Sequence, residues 1–390
     1  MQYNFDEIIP RKGTSCVKHD GMMRDFGRED ILPMWVADMD FRSPDFVMEA
    51  IRERCQHEVL GYACPSDSYY EAMQQWLRGH YGVEARREEL HFIPGIVSGI
   101  AFVLQALTAP GDKILVLNPV YPPFLHLPLS DGRELSCSAL RREGGRFAID
   151  FDDLDAKAKG CKLMILSNPH NPGGTVWTAE DLRKVAAICE RHGLMVIADE
   201  IHADLTLPGY RHTSYSTVST EAEAHSITFV APSKTFNIAG LGSSICYVPN
   251  EDLRLRFFHY LDGYEVANGN IFAYVGAEAA FRHGEDWLRQ MLRYLEGNVA
   301  LLHSHLRHFL PQIEAVLPEA SYLPWLDFSG FGLSHQATRE KLINEARVAL
   351  NDGTAFGGVA YENHFRLNIG CPRAVLERAL VQIEHAFVGR

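Results

Sequence analysis

The chain has 390 residues, of which 46% are hydrophobic and 22% are charged, and its formal net charge is −13. This composition is typical of a globular protein of two or three domains, and the interleaved negative charge argues against nucleic acid or a membrane surface as the main partner. No secretion signal, membrane span or metal-ligand spacing is visible, and eight dispersed cysteines indicate buried free thiols in a reducing cytoplasm.

Short apolar runs alternate with amphipathic helices through the middle of the chain. Five runs are predicted to be strands, at residues 91–93, 113–117, 162–166, 194–198 and 226–230. One intervening helix is predicted to start at Thr178, with Asp181 forming a near capping box, and to stop at Gly193. Nearly continuous apolar strands indicate a buried, mostly parallel sheet, which binds ligands at the carboxyl ends of its strands.

A second region follows the predicted sheet. Apolar residues between 288 and 306 recur at helical spacing and predict a long helix that connects two domains. The elements predicted after it are a helix at 334–350, a strand at 365–369 and a last helix with Pro372 as its first residue. The C-terminal region is therefore expected to be of the α+β type.

Lys234 and Asp199 follow two of the predicted strands. Small and apolar residues surround Lys234, which is a poor surface context but suits a lysine whose amine must lose its proton. Asp199 could cap a helix or pair with a ring nitrogen. Pyridoxal phosphate (PLP) needs an amine for its aldehyde and a carboxylate for its ring nitrogen, so this pair of residues predicts that cofactor.

Three residues near the same strand ends could contact the ring of the cofactor. Asn171 lies in the turn 167–174, where it could close the turn or donate its amide to the 3′-oxygen. His202 could reach the same oxygen or be an ordinary polar helix residue. Tyr121, fixed by neighbouring prolines, could belong to the core or stack on the pyridine ring.

Three further features could bind anions. The run 94–99 opens a predicted helix, and helix N-termini bind phosphate. Ser233 could bind a phosphate oxygen or only satisfy its turn. Arg366 lies within a strand-like run and needs a partner there, for which an amino-acid α-carboxylate would serve.

These motifs, in this order and over nearly the whole chain, resemble fold-type-I PLP enzymes, the aspartate aminotransferase superfamily. The segments similar to its cystathionine β-lyase (C–S lyase) branch are residues 35–41, 61–62, 119–121, 199–202, 233–237 and 366–373. The resemblance implies an α/β fold, with a mostly parallel seven-stranded sheet between helices in a large domain and a smaller α+β domain. We place the large domain at residues 50–285 and the small one at 1–49 and 286–390.

The resemblance also implies roles at the ring of the cofactor. Lys234 would bind the cofactor covalently and serve as the base, and Asp199 would pair with the ring nitrogen. Tyr121 would stack on the ring as a third catalytic residue. Asn171 and His202 would approach the 3′-oxygen.

The resemblance also implies which residues bind the phosphate of the cofactor and the carboxylate of the substrate. The resemblance implies that the backbone N–H groups of Ile96 and Val97 and the hydroxyl of Ser233 bind the phosphate. Tyr62 would reach the phosphate of the partner subunit across a homodimer with shared sites, and Arg366 would hold the substrate carboxylate.

Two positions depart from superfamily habits. Gly242 stands where many aminotransferases have a phosphate-binding arginine, and Ala231 stands where a serine or threonine is common. The phosphate is therefore expected to have fewer side-chain ligands than usual.

The activity implied by the resemblance is PLP-dependent β-elimination. The substrate would be L-cystathionine or another cysteine S-conjugate, and the products a thiol, pyruvate and ammonia. An aminotransferase acting through the same residues is the alternative, because no single residue separates the two reactions. A DNA-binding regulator of this fold would need an additional N-terminal domain, for which the residues before Trp35 leave no room.

Overall fold

A computed structural model describes residues 2–389 of the chain. Within them the strands are β1 (Leu32–Pro33), β2 (Leu90–Ile93), β3 (Lys113–Asn118), β4 (Glu134–Ala139), β5 (Arg141–Glu143), β6 (Arg146–Ala148), β7 (Cys161–Ser167), β8 (Met195–Asp199), β9 (Ser226–Val230), β10 (Ser244–Tyr247), β11 (Glu314–Val316), β12 (Trp325–Asp327), β13 (Val348–Ala349), β14 (Asn351–Asp352) and β15 (His364–Arg366). The α-helices are α1 (Val17–Asp20), α2 (Met22–Phe26), α3 (Asp45–Cys55), α4 (Asp67–Trp76), α5 (Ile96–Leu107), α6 (Pro122–Ser130), α7 (Phe151–Ala158), α8 (Ala179–His192), α9 (Thr220–Ala224), α10 (Pro232–Thr235), α11 (Glu251–Gly263), α12 (Ile271–His283), α13 (Glu285–Phe309), α14 (His335–Glu340) and α15 (Arg373–Val388).

The larger sheet has seven strands in the order β2–β10–β9–β8–β7–β3–β4. The five strands from β9 to β4 in this order are parallel to their neighbours, whereas β10 is antiparallel to both β2 and β9. All five strands predicted from apolar runs lie in this sheet, so the predicted mostly parallel seven-stranded sheet is confirmed. Asp199 ends β8, and β9 is its direct neighbour, so the two strands expected to flank the cofactor lie side by side.

Helix α8 is bounded by a capping residue at each end. Thr178 and Asp181 form a reciprocal capping box, in which each side chain accepts a hydrogen bond from the other's backbone N–H at 3.0 Å. The helix ends at Gly193, which takes the left-handed conformation with φ 69°. Both predicted ends are therefore confirmed, and the apolar face packs into the core beside β7 and β8.

The predicted connecting helix is α13, which has 25 residues and buries one apolar face. It contacts α15, and a four-stranded sheet of order β11–β12–β15–β14 follows it along the chain. The division into domains at 49/50 and 285/286 stays a prediction, and α3 crosses the first of these positions.

The predicted helix at 334–350 is too long. Helix α14 continues as a π-helical turn to Ala346, where Arg347 takes a positive φ of 54° and ends it. Val348 and Ala349 then pair with β1, over 300 residues away, so the local pattern could not reveal their strand.

The predicted strand at 365–369 is also only partly correct. It ends at Arg366, and the next three residues donate their N–H groups to carbonyls of other loops. Pro372 caps α15 rather than forming its first residue.

Residues 2–389 contain neither a membrane-spanning helix nor a cluster of metal ligands. None of their helices is long and apolar enough to cross a membrane, and no group of three or more His, Cys, Asp or Glu is arranged to hold a metal ion. The eight cysteines are free, but those that are buried are only Cys161, Cys189, Cys246 and Cys371. The prediction of buried thiols was therefore wrong for the other four.

Candidate active site

A cavity of about 250 Å³ lies at the carboxyl ends of the central strands. Eight of the predicted site residues line it: Ile96, Val97, Tyr121, Asn171, Asp199, His202, Ser233 and Lys234. The two others do not line it, because Arg366 contacts Asn171 from behind and Tyr62 lies in a separate exposed segment. The sheet therefore brings together residues that are far apart in the sequence.

Lys234 lies on the short helix α10, four residues after β9. Its Nζ donates a hydrogen bond to the backbone oxygen of Ala37 at 2.7 Å. Burial lowers the pKa of the Lys234 amine to about 8, so a much larger neutral fraction exists near neutral pH than for an exposed lysine. The next residue, Thr235, donates to buried Asp204 at 2.9 Å and thereby fixes α10.

Asp199 is a buried carboxylate at the end of β8. Its Oδ1 accepts the N–H of Ile201 at 3.1 Å, and none of the lysine, arginine or histidine side chains in residues 2–389 forms an ion pair with it. Burial raises the pKa of Asp199 to about 7. A protonated ring nitrogen would supply the missing cation and favour the charged carboxylate.

Arg366 is a buried cation without an acidic partner among the described residues. Its Nη1 donates to Asn171 Oδ1 at 3.0 Å and its Nη2 to Asn351 Oδ1 at 2.8 Å, whereas its Nε has no partner. Burial lowers the pKa of Arg366 to about 10, so the guanidinium remains charged at neutral pH. Because a buried charge is costly without a counter-charge, this arrangement favours an anionic ligand.

The same contact orients Asn171. Its amide oxygen is occupied by Arg366, so its NH₂ group is the part of the side chain left to act as a donor. An amide donor of this kind suits a phenolate oxygen.

His202 and Tyr121 line the cavity with different chemistry. His202 precedes a 3₁₀ turn rather than lying within a helix, is almost fully buried, and has no partner for its Nδ1. Burial lowers the pKa of His202 to about 3, so the imidazole is neutral and can donate one hydrogen bond. Tyr121 precedes α6 and packs edge-on against Phe124, with ring centroids 6.0 Å apart.

The start of α5 forms the anion-binding end of the cavity. Gly95 precedes the helix and provides no capping side chain, so the first N–H groups, those of Ile96 and Val97, lack a side-chain acceptor there. Ser233 also lines this cavity, and its hydroxyl donates to the backbone oxygen of Ser243 at 3.2 Å. Gly242 adopts φ 63°, and a Cβ there would lie 3.1 Å from the Pro94 oxygen, which explains why this backbone does not suit an arginine.

Comparison with known proteins identifies the family. The sequence matches the family model for aminotransferase class I and II over residues 29–383. The chain belongs to this aminotransferase family. The family and fold type expected from the sequence are thus confirmed.

Individual members of this aminotransferase family are similar over their full length. The chain is 40% identical to the cystathionine β-lyase PatB of Bacillus subtilis (strain 168), covering 98% of this chain and 99% of that protein. The structure of a PLP-bound C–S lyase from Staphylococcus hominis is 34% identical, with a TM-score of 0.92 and coverage of 100% and 99%. Cystalysin from Treponema denticola, which contains pyridoxal 5′-phosphate, is 30% identical, with a TM-score of 0.95 and 99% coverage of both chains.

The cavity fits the cofactor that sequence analysis predicts for this aminotransferase-family chain. It combines a buried amine, a buried carboxylate without a cation, an uncapped helix N-terminus and the unsatisfied Nδ1 of His202. These groups match the aldehyde, ring nitrogen, phosphate and ring substituents of pyridoxal phosphate.

Tyr62, like Arg366, does not line the cavity of its own chain. It lies in the segment 58–66, which has no helix or strand, and its side chain is fully exposed. Val59 and Leu60 are also exposed. Its expected role at a partner's phosphate stays a prediction.

The Ala37 carbonyl is a contact that sequence reasoning missed. It accepts from Lys234 Nζ and also from the Tyr322 hydroxyl at 3.1 Å. The motif at 35–41 was the available signal, but a backbone acceptor leaves no side-chain pattern. Ala37, Lys234 and Ala239 also line a second cavity of about 570 Å³, which adjoins the first.

Proposed function

We propose that the protein is a PLP-dependent C–S β-lyase that cleaves L-cystathionine or related cysteine S-conjugates to a thiol, pyruvate and ammonia. The amine of Lys234, whose pKa is lowered by burial, and the buried Arg366 without an acidic partner support chemistry at the Cα of an amino acid. The choice of C–S cleavage rests on the 40% identity with cystathionine β-lyase PatB over nearly the whole chain.

Each of five cavity residues is assigned one role in binding the cofactor. Lys234 would hold the cofactor covalently and release it to the amine of the substrate, and Asp199 would keep the ring nitrogen protonated. Asn171 and His202 would bind the 3′-oxygen. Tyr121 would stack on the ring.

Anion ligands fix the other groups. The N–H groups of Ile96 and Val97 and the hydroxyl of Ser233 would bind the phosphate. Arg366 would hold the α-carboxylate and thereby orient the Cα–H bond of the substrate.

Proton transfer then falls to the displaced lysine. Lys234 takes the Cα proton, for which its lowered pKa leaves enough neutral amine near neutral pH. Bound pyridoxal phosphate supplies the electron sink for the charge left on Cα. The C–S bond breaks, the thiolate leaves with the electron pair, and the remaining three-carbon fragment is hydrolysed to pyruvate and ammonia. The second cavity beside Lys234 provides space for the leaving part of the substrate.

The purified holoenzyme should form pyruvate and free thiol steadily from cystathionine without any keto acid. A thiolate on Cβ departs before a proton can be returned to the cofactor, so no amino acceptor is consumed. Pyruvate is followed by a coupled lactate dehydrogenase assay and thiol by a colorimetric reagent.

Alanine, which has no leaving group on Cβ, serves as the control substrate in this assay. If turnover stops after one equivalent per site and resumes when a keto acid is added, the protein is an aminotransferase.

We further propose a homodimer in which Tyr62 completes the phosphate site of the partner subunit. Tyr62 is fully exposed and Val59 and Leu60 are largely exposed, which supports this assembly because exposed aromatic and aliphatic side chains are poorly solvated. We place the enzyme in the cytoplasm because its eight cysteines form no disulfide.

Two inactive variants should complement each other when they are unfolded and refolded together. A mixed dimer of Lys234→Ala and Tyr62→Ala contains one site with both residues intact and one with neither. An equal mixture should therefore recover about a quarter of the wild-type activity, since half of the dimers are mixed. Each variant refolded alone is the control, and sedimentation of the wild type as a monomer at micromolar concentration would contradict the proposal.

A further inference from the structure

Four charged side chains near the N-terminus form a largely buried group, which we call the N-terminal ion cluster. Arg11 contacts Asp38 at 2.7 Å and Asp40 at 2.6 Å. Lys18, whose side chain is 0% exposed, contacts Asp40 at 2.7 Å and lies 3.7 Å from Asp38. His19 approaches Asp40 at 3.6 Å from the edge of the cluster. Two cations thus balance two carboxylates.

Charge pairing dominates within this cluster. Burial alone would raise the pKa of Asp40, but Lys18, His19 and Arg11 hold that pKa far below its usual value. Burying such ions is costly, and replacing a buried ion pair by apolar residues often leaves stability unchanged or improved. Stability alone is therefore a weak explanation for the cluster, and its position suggests another.

The cluster fixes the segment 36–40, which carries the backbone acceptor of the lysine. Ala37 lies directly before Asp38, and its carbonyl accepts from Lys234 Nζ at 2.7 Å. Asn237, three residues after Lys234, forms two hydrogen bonds with the backbone of Met39. Its amide oxygen accepts the Met39 N–H at 3.0 Å, and its NH₂ group donates to the Met39 oxygen at 2.9 Å.

The other side of this segment is held by the C-terminal region. Asn368 donates to the Asp38 oxygen at 2.7 Å, and the Asp40 N–H donates to the Gly370 oxygen at 2.8 Å. The side-chain amides of Asn237 and Asn368 are neutral, so the ion pairs to Asp38 and Asp40 come from Arg11 and Lys18, with His19 at the edge of the cluster.

We propose that Arg11 and Lys18 are positioning residues for Lys234: through Asp38 and Asp40 they hold the segment 36–40 so that the Ala37 carbonyl receives the lysine amine whenever the substrate displaces it, and they offset the carboxylate charge that this segment brings near the amine. The inference rests on the proposed role of Lys234. Held in this way, the free amine stays beside the Cα proton instead of adopting other rotamers.

The cluster also offsets the negative charge of Asp38, which lies near Lys234. The charged groups that face Lys234 are Asp38 from the segment 36–40, Asp199 from β8 and Arg366 from β15. His202 faces it as a neutral imidazole, and the Tyr322 hydroxyl shares its carbonyl. Because Arg11 neutralises Asp38, removing Arg11 exposes the lysine to an additional negative charge.

The test is the pH profile of kcat for the holoenzyme, whose acidic limb reports the base in the enzyme–substrate complex. In Arg11→Gln the uncompensated carboxylates favour the protonated amine, so the acidic limb should move up by about one pH unit. In Asp38→Asn the limb should move down, because a negative charge beside the lysine is lost.

Three further measurements make this test specific. The pH-dependent absorbance of the cofactor bound through Lys234 should shift in the same directions, independently of turnover. Arg11→Lys, which keeps the charge, should restore the limb to nearly its original pH. Lys12→Gln is the matched control, since the exposed Lys12 pairs with Glu29 at 2.8 Å and should leave both profiles unchanged.

An equal loss of kcat at every pH in Arg11→Gln and Asp38→Asn, with neither profile displaced, would overturn the inference and leave the cluster a purely structural feature. Should Arg11→Gln fail to fold, the absence of a downward shift in Asp38→Asn is sufficient to overturn it. Borohydride labelling of the wild type separates the two proposals: a label on Lys234 with unmoved profiles defeats only the positioning role, whereas no label on Lys234 defeats both.

Discussion

Replacing Lys234 with alanine should lower pyruvate formation by about 10³-fold or more, because one side chain both holds the cofactor and transfers the Cα proton. Among residues 2–389, no lysine other than Lys234 lines the cavity, so none is placed to substitute for it. Initial rates with cystathionine measure the loss. Borohydride reduction of the wild type followed by peptide mass analysis should place the pyridoxyl group on Lys234.

The fold should survive this change. Lys234 makes one hydrogen bond, to Ala37, and removing a buried amine removes its desolvation cost as well. Circular dichroism and thermal unfolding check this point. Lys184→Ala is the control, because Lys184 is an exposed lysine on α8 that pairs with Glu180 at 2.7 Å. A pyridoxyl label on a different lysine would contradict the assignment.

Replacing Asp199 with asparagine should lower kcat by about 10²-fold, because a hydrogen bond to a charged group contributes about 1.5–3 kcal/mol and the loss falls on the carbanionic step. Asp199→Glu keeps the carboxylate and should lose far less. Comparing the two variants under saturating cofactor separates charge from size. Turnover near the wild-type rate in Asp199→Asn would show that ring protonation does not depend on this residue.

Stability should respond to Asp199→Asn in the opposite sense. Burial raises the pKa of Asp199 to about 7, above the ordinary value of an unfolded chain. The folded protein without cofactor is therefore destabilised as this carboxyl ionises, progressively from acidic pH up to about pH 7. The asparagine variant lacks this penalty, so after cofactor removal its Tm should match or exceed that of the wild type above pH 7. A lower Tm there would mean that the ionised carboxylate has a stabilising partner in addition to the N–H of Ile201.

Much of the large sheet could be predicted because its signals are local. Continuous apolar runs mark buried parallel strands, and the capping residues Thr178 and Gly193 mark one helix at both ends. Since parallel strands present their carboxyl ends at one edge, the proximity of Lys234 and Asp199 followed from their order in the chain.

The remaining features depend on contacts between distant residues. The helix after Ser334 stops early because Val348 pairs with Leu32, which no local pattern records. The isolation of Arg366 from any acid in residues 2–389 appears only when β15 packs beside Asn171. The N-terminal ion cluster was missed for the same reason, because interleaved charges along a sequence are usually solvated and give no sign of which ones will be buried.

The segment 36–40 has a consequence for protein synthesis. Its hydrogen bonds reach Asn237 in the middle of the chain and Asn368 and Gly370 near its end. A nascent chain can therefore form most of the large sheet early, but it cannot fix the acceptor of Lys234 until residue 370 has left the ribosome. Competence for catalysis therefore depends on contacts of large sequence separation, which form late in folding.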